Sequence, residues 1–191
     1  VAEQAKAQGA TFTLTNAPIA MRMGEIQKLA DACNATVIPA DATSVEDLEN
    51  LITQSMEILS GKIDFILHSI GMSPNVRKGK PYDGTNYDWY HKTMDVSAMS
   101  LHKVLQVSKK MDAISDWGSV VALTYIAAQR VFPDYNDMAD AKSLLESITR
   151  SFGYHYGEAK KVRINTISQS PTVTTAGSGV KGFDAFINYA E

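Results

Sequence analysis

Cysteine is almost absent: Cys33 is the single one in 191 residues. That excludes an intramolecular disulfide and favours a reducing compartment, so a cytoplasmic location is the expectation. Nowhere does an apolar run approach the roughly 18 residues that a helical bilayer span needs. Charge of one sign is also lacking. Lys and Arg number 18 against 21 Asp and Glu, a formal net charge of −3, which argues against a nucleic-acid surface. The four histidines, His68, His91, His102 and His155, have no metal-ligand spacing. No G-x-G-x-x-G phosphate loop occurs, and Gly177-Ser178-Gly179 lies too late and follows no suitable strand. Val1 to Gly9 is mixed in character rather than a secretory signal. The chain starts without methionine and stops within helical pattern, so a partial chain is expected, missing a first strand and a C-terminal end.

What is present is an ordinary globular composition, 45% hydrophobic and 20% charged, enough for one domain over 1–191 with a full core. Val1 to Gln8 reads as a helix tail stopped by Gly9. Ala10 to Thr15 has strand composition. Ile19, Met23, Ile26, Ala30 and Cys33 recur at helical steps, which places Cys33 on an apolar stripe as a buried hydrophobe. Ala35 to Pro39 is a strand, and Ser44 with Asp47 is a capping box for the helix carrying Leu48, Leu51, Ile52, Met56 and Leu59. Ile63 to Ile70 is apolar and ends at Gly71; Pro74 to Asn86 reads as a loop. A long helix is expected from Tyr87 to Lys109, a strand over Gly118 to Leu123, a helix from about Asp134 to Tyr156, and a strand over Arg163 to Ser168. After Pro171 comes a loop to Gly179, then helical pattern over Phe183 to Tyr189. Short apolar strands alternating with helices imply an α/β fold, a doubly wound, Rossmann-like parallel sheet.

Ligands of such sheets bind beyond the carboxyl ends of the strands. Here those ends are Thr15-Asn16, Asp41-Ala42, Ser69-Ile70-Gly71, Tyr125 and Ser170-Pro171-Thr172. Any one of these sets suits an ordinary turn; five at one edge point to a nucleotide site. Beside them stand Tyr135 and Lys142, seven positions apart, which on one helix is about two turns and one face. Singly, the tyrosines read as packing and the lysine as a solvated face. Together they read as catalytic.

Tyr135-x6-Lys142, with Tyr125 ten residues before Tyr135, resembles the NADH-dependent enoyl-acyl-carrier-protein reductases, a divergent branch of the short-chain dehydrogenase/reductase superfamily. His68-Ser69-Ile70-Gly71, Phe12 to Asn16, Ala40-Asp41-Ala42 and Arg163 to Ser168 leading into Pro171 resemble it too, so the likeness runs over nearly the whole chain. It implies reduction of a trans-2-enoyl thioester on acyl carrier protein in fatty acid biosynthesis, with NADH as cofactor. It further implies Tyr135 as donor to the developing oxyanion, Lys142 on the nicotinamide ribose, and Tyr125 lining the acyl pocket. Asp41 and Ala42 would contact the adenine. Thr15, Ser69, Ile70, Gly71, Pro171, Thr172 and Thr174 would contact the rest of the cofactor. Phe183 and Phe186, in the segment covering the substrate, would face the acyl chain, and ordinary helix packing suits them equally. A homotetramer follows from the same resemblance. Thr15-Asn16 offers no carboxylate to repel a 2′-phosphate and Arg22 is a cation nearby in sequence, so NADPH stays open. The rival readings are another short-chain reductase acting on a ketone or alcohol, disfavoured because Thr124 is the nearest upstream hydroxyl, and a non-catalytic nucleotide-binding protein, favoured only by the missing glycine loop.

Overall fold

A computed structural model describes residues 1–169. These form an α/β fold with parallel strand pairing, divided into two compact units. One unit comprises Val1–Asp64 with Lys103–Ser115; the other comprises Phe65–His102 and the residues from Asp116 on. Among the described residues no helix is long and apolar enough to cross a membrane.

The first unit opens with α1 (Ala2–Ala7), closed at Gly9, whose φ of +83° is the left-handed conformation that glycine adopts without strain. Strand β1 (Thr13–Leu14) pairs in parallel with β2 (Thr36–Val37), Thr13 opposite Thr36. Both are shorter than their composition suggests. The ladder nevertheless runs on, with Ile38 N donating to Leu14 O and Ala40 N to Asn16 O. The helical stripe expected from Ile19 is interrupted. Pro18–Met23 is a 3₁₀ turn, Ile19 is 79% exposed and Met23 63%, and helix α2 (Glu25–Cys33) starts only after Gly24. Gly24 takes a φ of 74°, which no continuous right-handed helix accommodates. Cys33 is buried, as its stripe position requires.

Helix α3 (Val45–Ile58) begins at the expected cap: Ser44 Oγ accepts from Asp47 N at 3.2 Å and donates to Asp47 Oδ1. Asp47 Oδ2 accepts from Asp41 N at 2.8 Å, so the box also fixes the loop before it. Leu48 and Ile52 of α3 form this unit's core with Val107 and Ala113, flanked by Leu51, Met56, Val104 and Met111.

Three strands make the other sheet, in the order β3 (Ile63–His68), β4 (Ile114–Thr124), β5 (Arg163–Ser168). β4 and β5 run parallel from Ser119 opposite Arg163 to Thr124 opposite Ser168. In place of the expected loop after β3 there is a short helix, α4 (Pro74–Arg77). Its signals are local: Ser73 caps it, accepting from Val76 N, and Pro74 occupies the first turn, where a missing N–H costs nothing. The stretch expected as one helix from Tyr87 is α5 (Tyr87–Met94), a π-helical turn over Asp95–Met99, and α6 (Ser100–Lys110). Helix α7 (Asn136–Lys160) packs on β5 and on the π turn, burying Met138, Ala141, Leu145, Ile148 and Tyr156.

Candidate active site

Lys142 is the fourth residue after Met138 on the buried stripe of α7, so its aliphatic stem follows the apolar row. Only 8% of it is exposed. Its Nζ donates to Leu123 O, next to the carboxyl end of β4, at 2.7 Å. Burial lowers the ammonium pKa from 10.5 to about 8. The turn after β3 comes close from the other side: a Cβ built on Gly71 would stand 3.9 Å from Lys142 Nζ and 3.7 Å from Met138 Cε. Gly71 therefore lies within van der Waals reach of the lysine and of Met138. Ser69 and Gly71 are exposed there, with Ile70 half-buried.

The two tyrosines meet. Their ring centroids are 5.0 Å apart at 53°, and Phe132 lies 5.3 Å from Tyr125. Tyr125 follows β4 directly. Tyr135, however, is not on the helix with Lys142. It ends the 3₁₀ turn Pro133–Tyr135, and α7 begins one residue later. The same-face, two-turn spacing expected of the pair is thus corrected: Asn136 has φ 38° and ψ −135°, a kink that swings Tyr135 off the helix axis. Few non-glycine residues adopt such a backbone, and it persists only where the surroundings hold it. They do so here. Asn136 Nδ2 donates to Lys80 O at 2.7 Å and Pro81 O at 3.0 Å, while its Oδ1 accepts from Thr85 Oγ1 at 2.9 Å. Burial, and then the neighbouring Tyr125, push the Tyr135 phenol well above its ordinary pKa, so it is a protonated donor at neutral pH. Burial raises Tyr125 as well. Thr124, the nearest upstream hydroxyl, donates to Glu146 Oε1 at 2.9 Å.

A buried polar frame surrounds this arrangement, and sequence reasoning did not single it out beyond His68. Ser100 Oγ donates to Val96 O at 2.7 Å, which leaves His68 Nε2 as the donor in its 2.8 Å bond to Ser100 Oγ. Burial, then Lys142, lower the His68 pKa from 6.5 to about 4, so the imidazole is neutral. Ser97 Oγ accepts from Met72 N at 2.9 Å and donates to Met72 O at 3.0 Å. Asp137 accepts from Ser73 and Asn75. Of these, only the Ser73-Pro74 cap carried a readable local signal; the others are visible only once distant segments meet.

Asp41 and Ala42, expected at the adenine, and Thr15, expected elsewhere on the cofactor, belong to the first unit. Thr15, beyond β1, and Asp41, beyond β2, are exposed; Ala42 is half-buried. Asp41 Oδ1 accepts from Thr43 N and Thr43 Oγ1, fixing the loop. Pro171, Thr172, Thr174, Phe183 and Phe186 lie outside the described residues.

Comparison with known proteins adds the following. The family model described as enoyl-(acyl carrier protein) reductase matches residues 1–191. The chain is 29% identical to NADH enoyl-acyl-carrier-protein reductase 2 of Rhizobium meliloti, over 100% of its own length and 70% of the relative's. It is 31% identical to the NADH enoyl-acyl-carrier-protein reductase FabI of Rickettsia bellii, covering 98% of itself and 70% of that protein. Among solved structures, a FabI–NADH complex from Alistipes finegoldii superposes with a TM-score of 0.97 at 65% identity, covering 100% of this chain and 67% of that one.

Proposed function

The chain belongs to the enoyl-(acyl carrier protein) reductase family, and we propose that Tyr135, Lys142 and Tyr125 are the reducing end of its site. The reaction saturates the double bond of a trans-2-enoyl thioester carried on acyl carrier protein, a step of fatty acid biosynthesis, with NADH as reductant. When bound, NADH supplies the hydride that adds to the β-carbon. Negative charge then develops on the thioester oxygen as an enolate, which takes up a proton from water at the α-carbon to complete the reduction. Tyr135 meets it as a hydrogen-bond donor, a role that suits a phenol kept protonated by burial. Lys142 holds the nicotinamide ribose hydroxyls and places a cation beside the reacting group. Tyr125, tilted against Tyr135, lines the acyl pocket and excludes water.

The observation that carries this reading is the close approach of the exposed Gly71 turn to the buried Lys142, at the carboxyl end of β4. Ser69, Ile70 and Gly71 take the nicotinamide half, and Thr15, Asp41 and Ala42 the adenosine half. Pro171, Thr172 and Thr174 take the amide or pyrophosphate; Phe183 and Phe186 cover the acyl chain. Thr15-Asn16 presents no carboxylate to a 2′-phosphate, so NADPH is the second reductant to assay. The engagement of Thr124 by Glu146 leaves no free hydroxyl of the kind a ketone reductase would use at that position.

The test is oxidation of NADH by crotonyl thioester, with acetoacetyl thioester as the contrasting substrate. Turnover is expected on the first only, and Tyr135→Phe should lower kcat by about 10²–10³. Undiminished turnover in that variant overturns the assignment, and turnover on the acetoacetyl thioester favours the ketone-reductase reading. The enzyme works in the cytoplasm as a homotetramer. The long helices over 87–110 and 136–160 would supply the surfaces for assembly. Light scattering should give four times the chain mass, and a monomeric mass refutes the tetramer.

A further inference from the structure

We propose that Asp137 is a positioning residue for the cofactor: it locks the turn containing Gly71 to the start of the helix containing Lys142. The proposal rests on the reading of Gly71 and Lys142 as cofactor contacts. Asp137 stands between Tyr135 and Lys142 in sequence, in the first turn of α7, and its side chain is wholly buried. A carboxylate taken out of water is strongly unfavourable unless its oxygens are hydrogen-bonded. Both are. Ser73 Oγ donates to Oδ1 at 2.6 Å and Asn75 Nδ2 donates to Oδ2 at 2.8 Å. Ser73 and Asn75 are themselves buried, at 3% and 0% exposure.

Each donor is tied further. Ser73 caps α4. Asn75 holds Asn86 from both sides, donating to Asn86 O at 3.1 Å and accepting from Asn86 N at 3.0 Å. Asp137 is therefore the point where residues 73–75 and, through Asn75, residue 86 are joined to α7. Ser73 is two residues beyond Gly71, and Met72 between them is held at both backbone atoms by Ser97. The Gly71 turn is thus pinned to the π turn through Met72 and to α7 through Ser73. These two attachments set the gap between Gly71 and Lys142 Nζ. An apolar side chain at 137 would fill the volume but leave two buried donors unpaired, and the turn would lose its register on the helix.

The test uses the full chain and reads the Michaelis constants for NADH and crotonyl thioester separately, with kcat. Asp137→Asn has one acceptor oxygen where the carboxylate has two, so one of the two buried donors, Ser73 Oγ or Asn75 Nδ2, loses its partner. It is expected to raise the NADH KM about tenfold with a much smaller change in the thioester KM. Ser73→Ala, which keeps Asp137 and Asn75, is expected to raise it about threefold. A purely structural role lowers the active fraction, hence apparent kcat, and leaves the NADH KM unchanged. That outcome in Asp137→Asn overturns the proposal; if this variant does not fold, an unchanged NADH KM in Ser73→Ala overturns it instead. Failure of the underlying reading looks different: the wild-type chain would then show no saturable dependence on NADH.

Discussion

At the scale of the residue, Lys142 shows how burial can set a working range. In the unfolded chain its pKa is the ordinary 10.5; in the folded chain it is about 8. Among the described residues the ammonium is held by one carbonyl and by no carboxylate, so desolvation dominates. Two consequences of opposite sign follow. As pH rises through about 8 the folded protein loses the cation that the proposed ribose contact needs, so kcat/KM for NADH should fall with an apparent pKa near 8. Over the window from about 8 to 10.5 the unfolded chain binds more protons than the folded one, and this residue's contribution to stability therefore rises with pH. Activity should decline where the fold gains. Tyr135 adds no limb in this range, because its phenol is pushed far higher. The check is a pH profile of kcat/KM in wild type and in Lys142→Arg, whose guanidinium stays charged. The alkaline limb should vanish from whatever activity the variant retains; an unmoved limb assigns it to another group.

At the scale of the element, legibility followed the range of the interaction that makes each element. β5 spans Arg163–Ser168 and the Ser44–Asp47 box caps α3, both where composition and spacing put them, because the determining signals lie within a few residues. Helix α7 starts near the expected place, yet its second expected residue, Tyr135, stays outside. The kink at Asn136 depends on carbonyls at Lys80 and Pro81, which helical periodicity does not see. The stripe from Ile19 failed for a local reason that was readable: Gly24 has no side chain to resist a positive φ. β4 begins at Ile114, four residues before the apolar run at Gly118. Its early part carries the exposed Trp117 at φ 62°, whose carbonyl accepts from Arg163 of β5 at 3.1 Å. The π turn at Asp95–Met99 had no signature either; an extra residue per turn does not break a three-four pattern, and such turns recur near functional sites. For the site, spacing and resemblance named candidate side chains. Their supports could not, since Asp137 and Ser73 are 64 positions apart.

At the scale of the whole molecule, the buried frame makes stability itself depend on pH. His68 is 3% exposed, and its imidazole, donating to Ser100, is neutral with a pKa of about 4 against 6.5 when unfolded. Below pH 6.5 the unfolded chain takes up a proton that the folded chain refuses until about 4. Stability thus falls as pH drops through that window, by about 2 kcal/mol at pH 5 and about 3 kcal/mol at the limit. His68→Gln separates this effect from carboxylate titration elsewhere. Its side-chain amide can still donate to Ser100 but binds no proton. Urea denaturation at pH 7 and about pH 5 should show wild type losing about 2 kcal/mol more than the variant. Equal losses would mean that His68 is not held neutral by the fold. The proximity of Lys142, the second cause of the lowered pKa, adds a further expectation within the same experiment. Lys142→Met removes the nearby cation, so the acid loss assigned to His68 should shrink without disappearing.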